Sequence, residues 1–118
     1  MRPTVLLLDD HDGFRARARV MLEAEGFDVV AEATEGTAAI EAAGRLHPDV
    51  ALVDVSLPGL DGFGVAARLR ADGSAGRIVL ISGRNREDYG DRVERSAADD
   101  FIAKADLSGA RLLESLRR

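Results

Sequence analysis

The sequence alternates short apolar runs, each closed by a polar residue, with longer segments of helical periodicity. The apolar runs cover residues 5–8, 29–31, 50–53, 78–81 and 101–103. Short, nearly continuous apolar runs are typical of parallel strands that are buried on both faces. The alternation therefore predicts an α/β fold, namely a doubly wound parallel sheet of five strands with helices on both of its faces.

Five helices are predicted to follow these strands. The first begins after Asp12 as its cap and ends near Gly26, and the second begins near Thr34. The third follows Asp61, and the last begins near residue 107 and carries leucines at helical spacing. Helices of this length between strands fit the crossover connections that parallel strands require.

The fourth helix, expected within residues 85–98, has the weakest pattern. Its apolar stripe consists of Tyr89, Val93 and Ala97, and Gly90 interrupts it. Glycine inside a helix costs about 1 kcal/mol relative to alanine. A marginal helix is expected here.

Composition narrows the classes of function. At 118 residues the chain is expected to form one domain, residues 1–118. There is no cysteine, which excludes thiol catalysis and thiolate metal sites, and a net charge of −5 argues against nucleic-acid binding by this segment. No apolar run approaches the roughly 20 residues of a membrane span, and the apolar start is too short for a signal peptide.

Polar side chains close the predicted strands. Asp9 and Asp10 follow the first, Asp54 the third, Ser82 the fourth and Lys104 the fifth; Lys104 is the only lysine among 16 basic residues. Ligand sites in such sheets lie at the carboxyl ends of the strands. Each acid alone is equally well explained as a cap or turn residue, but all of them together predict a site.

Three close carboxylates raise one another's pKa values unless a cation neutralises them. Oxygen ligands without cysteine favour Mg²⁺, which keeps coordination positions open for phosphate oxygens. A carboxylate is able to act as a nucleophile towards phosphorus, and an ammonium offsets charge on the transferred group. The strand ends thus suit phosphoryl chemistry.

The segments VLLLDDHDGFR, VALVDVSLPGLDGF, IVLISG and DFIAK, in this order and spacing, resemble the receiver domain of bacterial two-component response regulators. The resemblance covers essentially the whole chain. It implies a flavodoxin-like sheet with strand order 2-1-3-4-5. The segment that follows the last strand is similar to receivers of the NarL/LuxR type, which precede a DNA-binding domain.

The resemblance also implies a phosphoacceptor and a metal site. Asp54 would accept a phosphoryl group from a histidine kinase. Asp10, Asp54 and the backbone carbonyl of Ser56 would ligate Mg²⁺, or Mn²⁺ in its place, and Asp9 would act through a metal-bound water.

Three further positions match residues that respond to phosphorylation in this family. Lys104 would contact the phosphoryl group, Ser82 would be drawn towards it, and Phe101 would rotate into the space that Ser82 leaves. Ala105 stands where the family commonly has proline, which puts the placement of Lys104 in question. His11, beside the acids, is expected at the surface rather than as a metal ligand or general base.

The implied function is a cytoplasmic signalling domain, not an enzyme acting on an external substrate. Its partners would be a sensor histidine kinase or phosphotransfer protein and a downstream output domain or protein, with a phosphorylation-dependent homodimer as a further expectation and no membrane contact. The chain would be either a single-domain regulator or the receiver of a longer protein.

Two alternatives remain open. One is a pseudo-receiver that acts as an interaction module without phosphorylation, a reading that Ala105 keeps open. The other is a haloacid-dehalogenase-like phosphatase, suggested by the spacing of Asp10 and Asp12, although Phe14 stands where that family has threonine.

Overall fold

The computed structural model describes residues 2–117 and has a five-stranded parallel sheet with strand order β2-β1-β3-β4-β5. The strands are β1 (Thr4–Leu8), β2 (Asp28–Ala33), β3 (Val50–Asp54), β4 (Arg77–Ser82) and β5 (Asp100–Ala103). The α-helices are α1 (Asp12–Ala24), α2 (Gly36–Leu46), α3 (Gly62–Asp72) and α4 (Gly109–Arg117). The predicted flavodoxin-like topology is confirmed.

The strands separate two apolar layers because successive side chains of a strand point to opposite faces. Leu6 and Leu8 pack on one face with residues of α2 and α3, and Val5 and Leu7 pack on the other with residues of α1 and α4. All four side chains are fully buried. A sheet covered on both faces leaves the ends of its strands accessible, and ligand sites in such sheets lie at the carboxyl ends.

The prediction of five helices was wrong for the described residues, which form four. The segment between β4 and β5 contains a single 3-10 turn, Arg86–Tyr89, followed by irregular turns. Gly90 follows that turn with φ of 59°, which a right-handed helix cannot include. Tyr89 still packs on the core and Val93 is buried, so the sparse apolar stripe anchors the segment without making it helical.

Of the two helix N-caps expected from the sequence, one is confirmed and one was wrong. Asp61 precedes α3, and its side chain accepts a hydrogen bond from the Gly64 backbone N–H, as a capping residue should. Asp12 was wrongly predicted as the cap of α1: it lies inside the first turn, and His11 occupies the capping position.

No helix within residues 2–117 has the length and apolar character needed to cross a membrane.

Candidate functional site

The carboxyl ends of the strands bring the predicted polar residues to one cleft. It is lined by Asp10, His11, Asp54, Ser56, Ser82, Arg84 and Lys104, among others. Asp9 lies beneath them, fully buried. Phe101 is buried among the residues of the adjacent apolar layer rather than on the cleft wall.

Asp54 lies in a setting that shifts its pKa. Its side chain is 2% exposed at the end of β3. Burial raises the pKa of Asp54, as does the charge of Asp9, while the charge of Lys104, the hydrogen bond from the Ser56 backbone and that from Lys104 act against the rise. The carboxylate is therefore held in a setting that disfavours its charge until a cation joins it.

Lys104 supplies the ammonium that the acids require. Its Nζ lies 2.6 Å from Asp9 Oδ2 and 3.4 Å from Asp54 Oδ2, and 4.6 Å from the centre of the Phe14 ring. No cis peptide bond occurs within residues 2–117, so the Lys104–Ala105 bond is trans. Alanine at position 105 therefore does not displace the lysine from the acids.

Backbone N–H groups orient two of the carboxylates. The Ser56 N–H donates to Asp54 Oδ1 at 3.1 Å, and the His11 N–H donates to Asp9 Oδ1 at 2.7 Å. Asp9 Oδ2 is buried and accepts no hydrogen bond, although Lys104 approaches it as an ion pair. The two acids are thus held in place by backbone donors, and Lys104 is the ionic partner of the buried Asp9 oxygen.

His11 is closer to the acids than the sequence suggested. Its Nδ1 lies 3.1 Å from Asp9 Oδ1 and 3.1 Å from Asp10 Oδ1, although the side chain is 66% exposed. The prediction of a surface position was right about its exposure and missed these contacts. Adjacency to the acidic pair was the only available signal.

The acids offer a donor set that fits a divalent cation. Asp9, Asp10, His11 and Asp54 each present one ligand atom, and these atoms lie within 4.8 Å of one another. Three of the four donors are carboxylates, which suit Mg²⁺ or Mn²⁺.

Ser82 has an aromatic neighbour that the sequence did not identify. A hydrogen bond of 2.6 Å joins Ser82 Oγ to Tyr89 Oη, and the Arg84 N–H donates to Ser82 Oγ at 3.0 Å. Phe101, the predicted switch residue, contacts Tyr89, with ring centres 5.9 Å apart. The sequence shows a single tyrosine, whose hydroxyl needs a hydrogen-bond partner when it is buried. Which partner it finds depends on the path of the irregular turns after β4, which the sequence does not reveal.

Comparison with known proteins places these observations in a family. The family model described as the response regulator receiver domain matches residues 5–117. The positive transcription regulator of virulence factors BvgA from Bordetella pertussis is 34% identical over 100 residues, covering 85% of this chain and 48% of that protein. The DNA-binding transcriptional activator EvgA of Escherichia coli K12 is 32% identical over 99 residues, covering 84% and 48%. The chain spans about half the length of these relatives.

Solved structures agree with this relationship. The signal receiver domain of the response regulator NarL from Mycobacterium tuberculosis has a TM-score of 0.87 and 31% identity, covering 98% of this chain and 97% of that one. The receiver domain of a modulated diguanylate cyclase from Desulfovibrio desulfuricans has a TM-score of 0.84 and 33% identity, covering 99% and 92%.

Proposed function

The chain belongs to the response regulator receiver domains, and we propose that it accepts a phosphoryl group on Asp54 in a divalent-cation-dependent reaction. The observation that carries the proposal is the environment of Asp54. A carboxylate that is 2% exposed ends its strand at the cleft, 3.4 Å from the only lysine and within reach of two further acids.

Each residue of the cleft has its own role in the proposed phosphoryl transfer. An Asp54 carboxylate oxygen attacks phosphorus, a P–O bond forms, and the P–N bond of the donor's phosphohistidine breaks with its electrons returning to the imidazole. Lys104 offsets negative charge on the transferred group. Asp10, Asp54 and the Ser56 carbonyl would hold Mg²⁺ or Mn²⁺, with Asp9 acting through water. The cation supplies charge neutralisation for the phosphoryl oxygens.

The phosphorylated state would be read out through Ser82. A phosphoryl group adds about −1.5 to −2 charges at Asp54 and new acceptor oxygens. The Ser82 hydroxyl would donate to one of them, and the surface beside β4 and β5 would change. Phe101 is the residue to which the family resemblance assigns the accompanying rotation.

This function implies partners rather than an external substrate. The receiver would be cytoplasmic, its phosphodonor would be a sensor histidine kinase or phosphotransfer protein, and it would act on an output domain or protein. EvgA is named as DNA-binding; for this chain, nucleic-acid contact would belong to such an output rather than to the acidic receiver. Phosphorylation-dependent homodimerisation is a further part of the proposal.

Incubation with a small phosphodonor tests the proposal. With acetyl phosphate and Mg²⁺, intact-mass spectrometry should detect an adduct of about 80 Da. Chelation of the cation and Asp54→Asn should each abolish it, whereas Asp106→Asn, at an exposed acid outside the cleft lining, should leave it unchanged. No adduct under any condition would favour the pseudo-receiver alternative, and catalytic phosphate release that depends on Asp10 would favour a phosphatase.

A further inference from the structure

Ser82 is held by a side chain from the irregular connection that follows it. The hydrogen bond of 2.6 Å to Tyr89 Oη ties the end of β4 to the 3-10 turn Arg86–Tyr89. Ser82 is 2% exposed and Tyr89 is half-buried, so the bond is partly shielded from competing water. A short hydrogen bond in such a setting is a specific link between the two segments.

Tyr89 is also the residue through which the connection packs on the rest of the domain. Its ring lies 5.9 Å from that of Phe63 in α3, in an edge-to-face arrangement, and 5.9 Å from that of Phe101 in β5. The Arg92 guanidinium lies 4.4 Å from the centre of the Phe63 ring, on the same side chain that Tyr89 contacts. One tyrosine thus contacts α3, β5 and β4 together.

The rest of the connection buries little apolar surface. Residues 83–99, hereafter the β4–β5 connection, contain no α-helix, and Val93 is their only buried apolar side chain. Segments with little buried apolar surface open at lower free energy than the core does. The end of the connection next to β5 is held by Asp99, which accepts hydrogen bonds from Arg70 and from the Ile78 N–H. Tyr89 is therefore the anchor of the part next to β4.

We propose that Tyr89 is the positioning residue that couples Ser82 to the β4–β5 connection, a role that rests on the proposed phosphorylation of Asp54. When the Ser82 hydroxyl turns to the phosphoryl group it gives up Tyr89 Oη. Tyr89 then leaves its place between Phe63 and Phe101, and the part of the connection next to β4 is released with it.

Tyr89 and the phosphoryl group compete for the hydroxyl of Ser82. It has one proton to donate, and its oxygen already accepts from the Arg84 N–H. In this proposal, donation to a phosphoryl oxygen moves the Ser82 hydroxyl to another staggered rotamer, in which Oγ lies away from Tyr89. Tyr89 therefore opposes the phosphorylated arrangement, and loss of its hydroxyl should favour that arrangement.

Beryllofluoride with Mg²⁺, a stable substitute for the phosphoryl group, measures this competition. Because an intramolecular hydrogen bond contributes about 0.5–1.5 kcal/mol, Tyr89→Phe should tighten beryllofluoride binding about two- to tenfold. In a Ser82→Ala background the same substitution should change the affinity less than twofold, because the coupled hydroxyl is gone. Equal effects of Tyr89→Phe in the two backgrounds would overturn the coupling, because a merely structural role predicts them.

The native chain offers a second readout that needs no substitution. It contains one tyrosine and no tryptophan, so ring-labelled tyrosine gives signals from Tyr89 alone. Beryllofluoride should shift those signals in the native chain but not in Asp54→Asn. Fluorine NMR reports binding separately: bound beryllofluoride with unchanged Tyr89 signals would overturn the coupling alone, and absence of bound beryllofluoride would overturn the phosphoacceptor function as well.

Discussion

The ammonium of Lys104 lies 2.6 Å from Oδ2 of Asp9, a carboxylate that is fully buried. The same ammonium reaches Asp54 at 3.4 Å. One ammonium thus contacts two acids at the rim of the sheet, and Lys104 is the only lysine in the chain. We therefore expect the stability of the metal-free domain to depend on this ion pair.

Replacement of Lys104 by methionine should therefore destabilise the metal-free domain. Removing one partner of a buried pair leaves uncompensated charge, and the expected loss is about 3 kcal/mol in urea unfolding at pH 7. Lys104→Arg, which keeps the charge, should lose less than half of this. Addition of Mg²⁺ should stabilise the methionine variant more than the native chain. Equal stability of the native and methionine chains without Mg²⁺ would contradict this role.

Asp54→Asn should stabilise the metal-free domain in a pH-dependent way. Burial first, and then Asp9, raise the pKa of Asp54, so the folded state holds its proton to higher pH than the unfolded state does. The native chain then loses stability as pH rises from about 4, the ordinary pKa, through the raised value, and the asparagine variant does not.

Unfolding in urea at pH 3.5 and pH 7.5 measures this difference. The variant should match the native chain at the lower pH and exceed it at the higher one. Asp106→Asn, at an exposed position, should show no comparable change. An asparagine variant that is less stable than the native chain at pH 7.5 would be inconsistent with a strained carboxylate.

Gly62 begins α3 directly against the strand that carries Asp54. A Cβ at this position would collide with the Asp54 carbonyl and with Val55 Cα, whereas one on Gly44 in α2 would meet nothing within 4 Å. Gly62→Ala should cost about 1–3 kcal/mol because backbone must shift, and Gly44→Ala should add about 0.4–1 kcal/mol. Thermal unfolding of both variants tests this contrast, and stabilisation by both substitutions would show that the approach of Gly62 is not tight.

Arg111 holds α4 to the start of β5. Its guanidinium donates to Asp100 Oδ2 at 3.0 Å, where Ser115 Oγ also donates at 2.6 Å. Burial alone would raise the pKa of Asp100, but the hydrogen bonds from Arg111, Ser115 and the Phe101 N–H outweigh it and lower that pKa.

Arg111→Met should therefore reduce stability by about 2–3 kcal/mol at pH 7. An acid with a lowered folded pKa contributes stability above its ordinary pKa and loses it as pH falls through the folded value. The difference between the variant and the native chain should accordingly shrink below about pH 4. Arg95→Met, which breaks a pair exposed on both sides, should cost less than about 0.5 kcal/mol; equal losses would argue against the buried network.

The sheet and the residues at its rim were predictable because they depend on local patterns. Continuous apolar runs mark strands buried on both faces, and the rule for strand ends then brings Asp54 and Lys104 together from positions 50 residues apart. The cap of α3 at Asp61 was equally local.

The parts that the sequence left uncertain depend on tertiary packing. Whether residues 85–98 form a helix depends on how Tyr89 and Val93 pack against the core. The spacing of apolar residues in the sequence does not determine that packing. The contact between Tyr89 and Ser82 likewise requires the path of the turns between them. Helix α1 begins at Asp12, so His11 and not Asp12 is its N-cap. Residue propensities do not locate a helix start to within one residue.

Reduction of the phosphorylated chain with borohydride tests the central claim most directly. An aspartyl phosphate is reduced to homoserine, so peptide mass spectrometry after treatment with acetyl phosphate and Mg²⁺ identifies the residue that carried the phosphoryl group. The account predicts homoserine at position 54 and at no other acid. Homoserine at Asp10, or at no position in a chain that has gained the adduct, would contradict it.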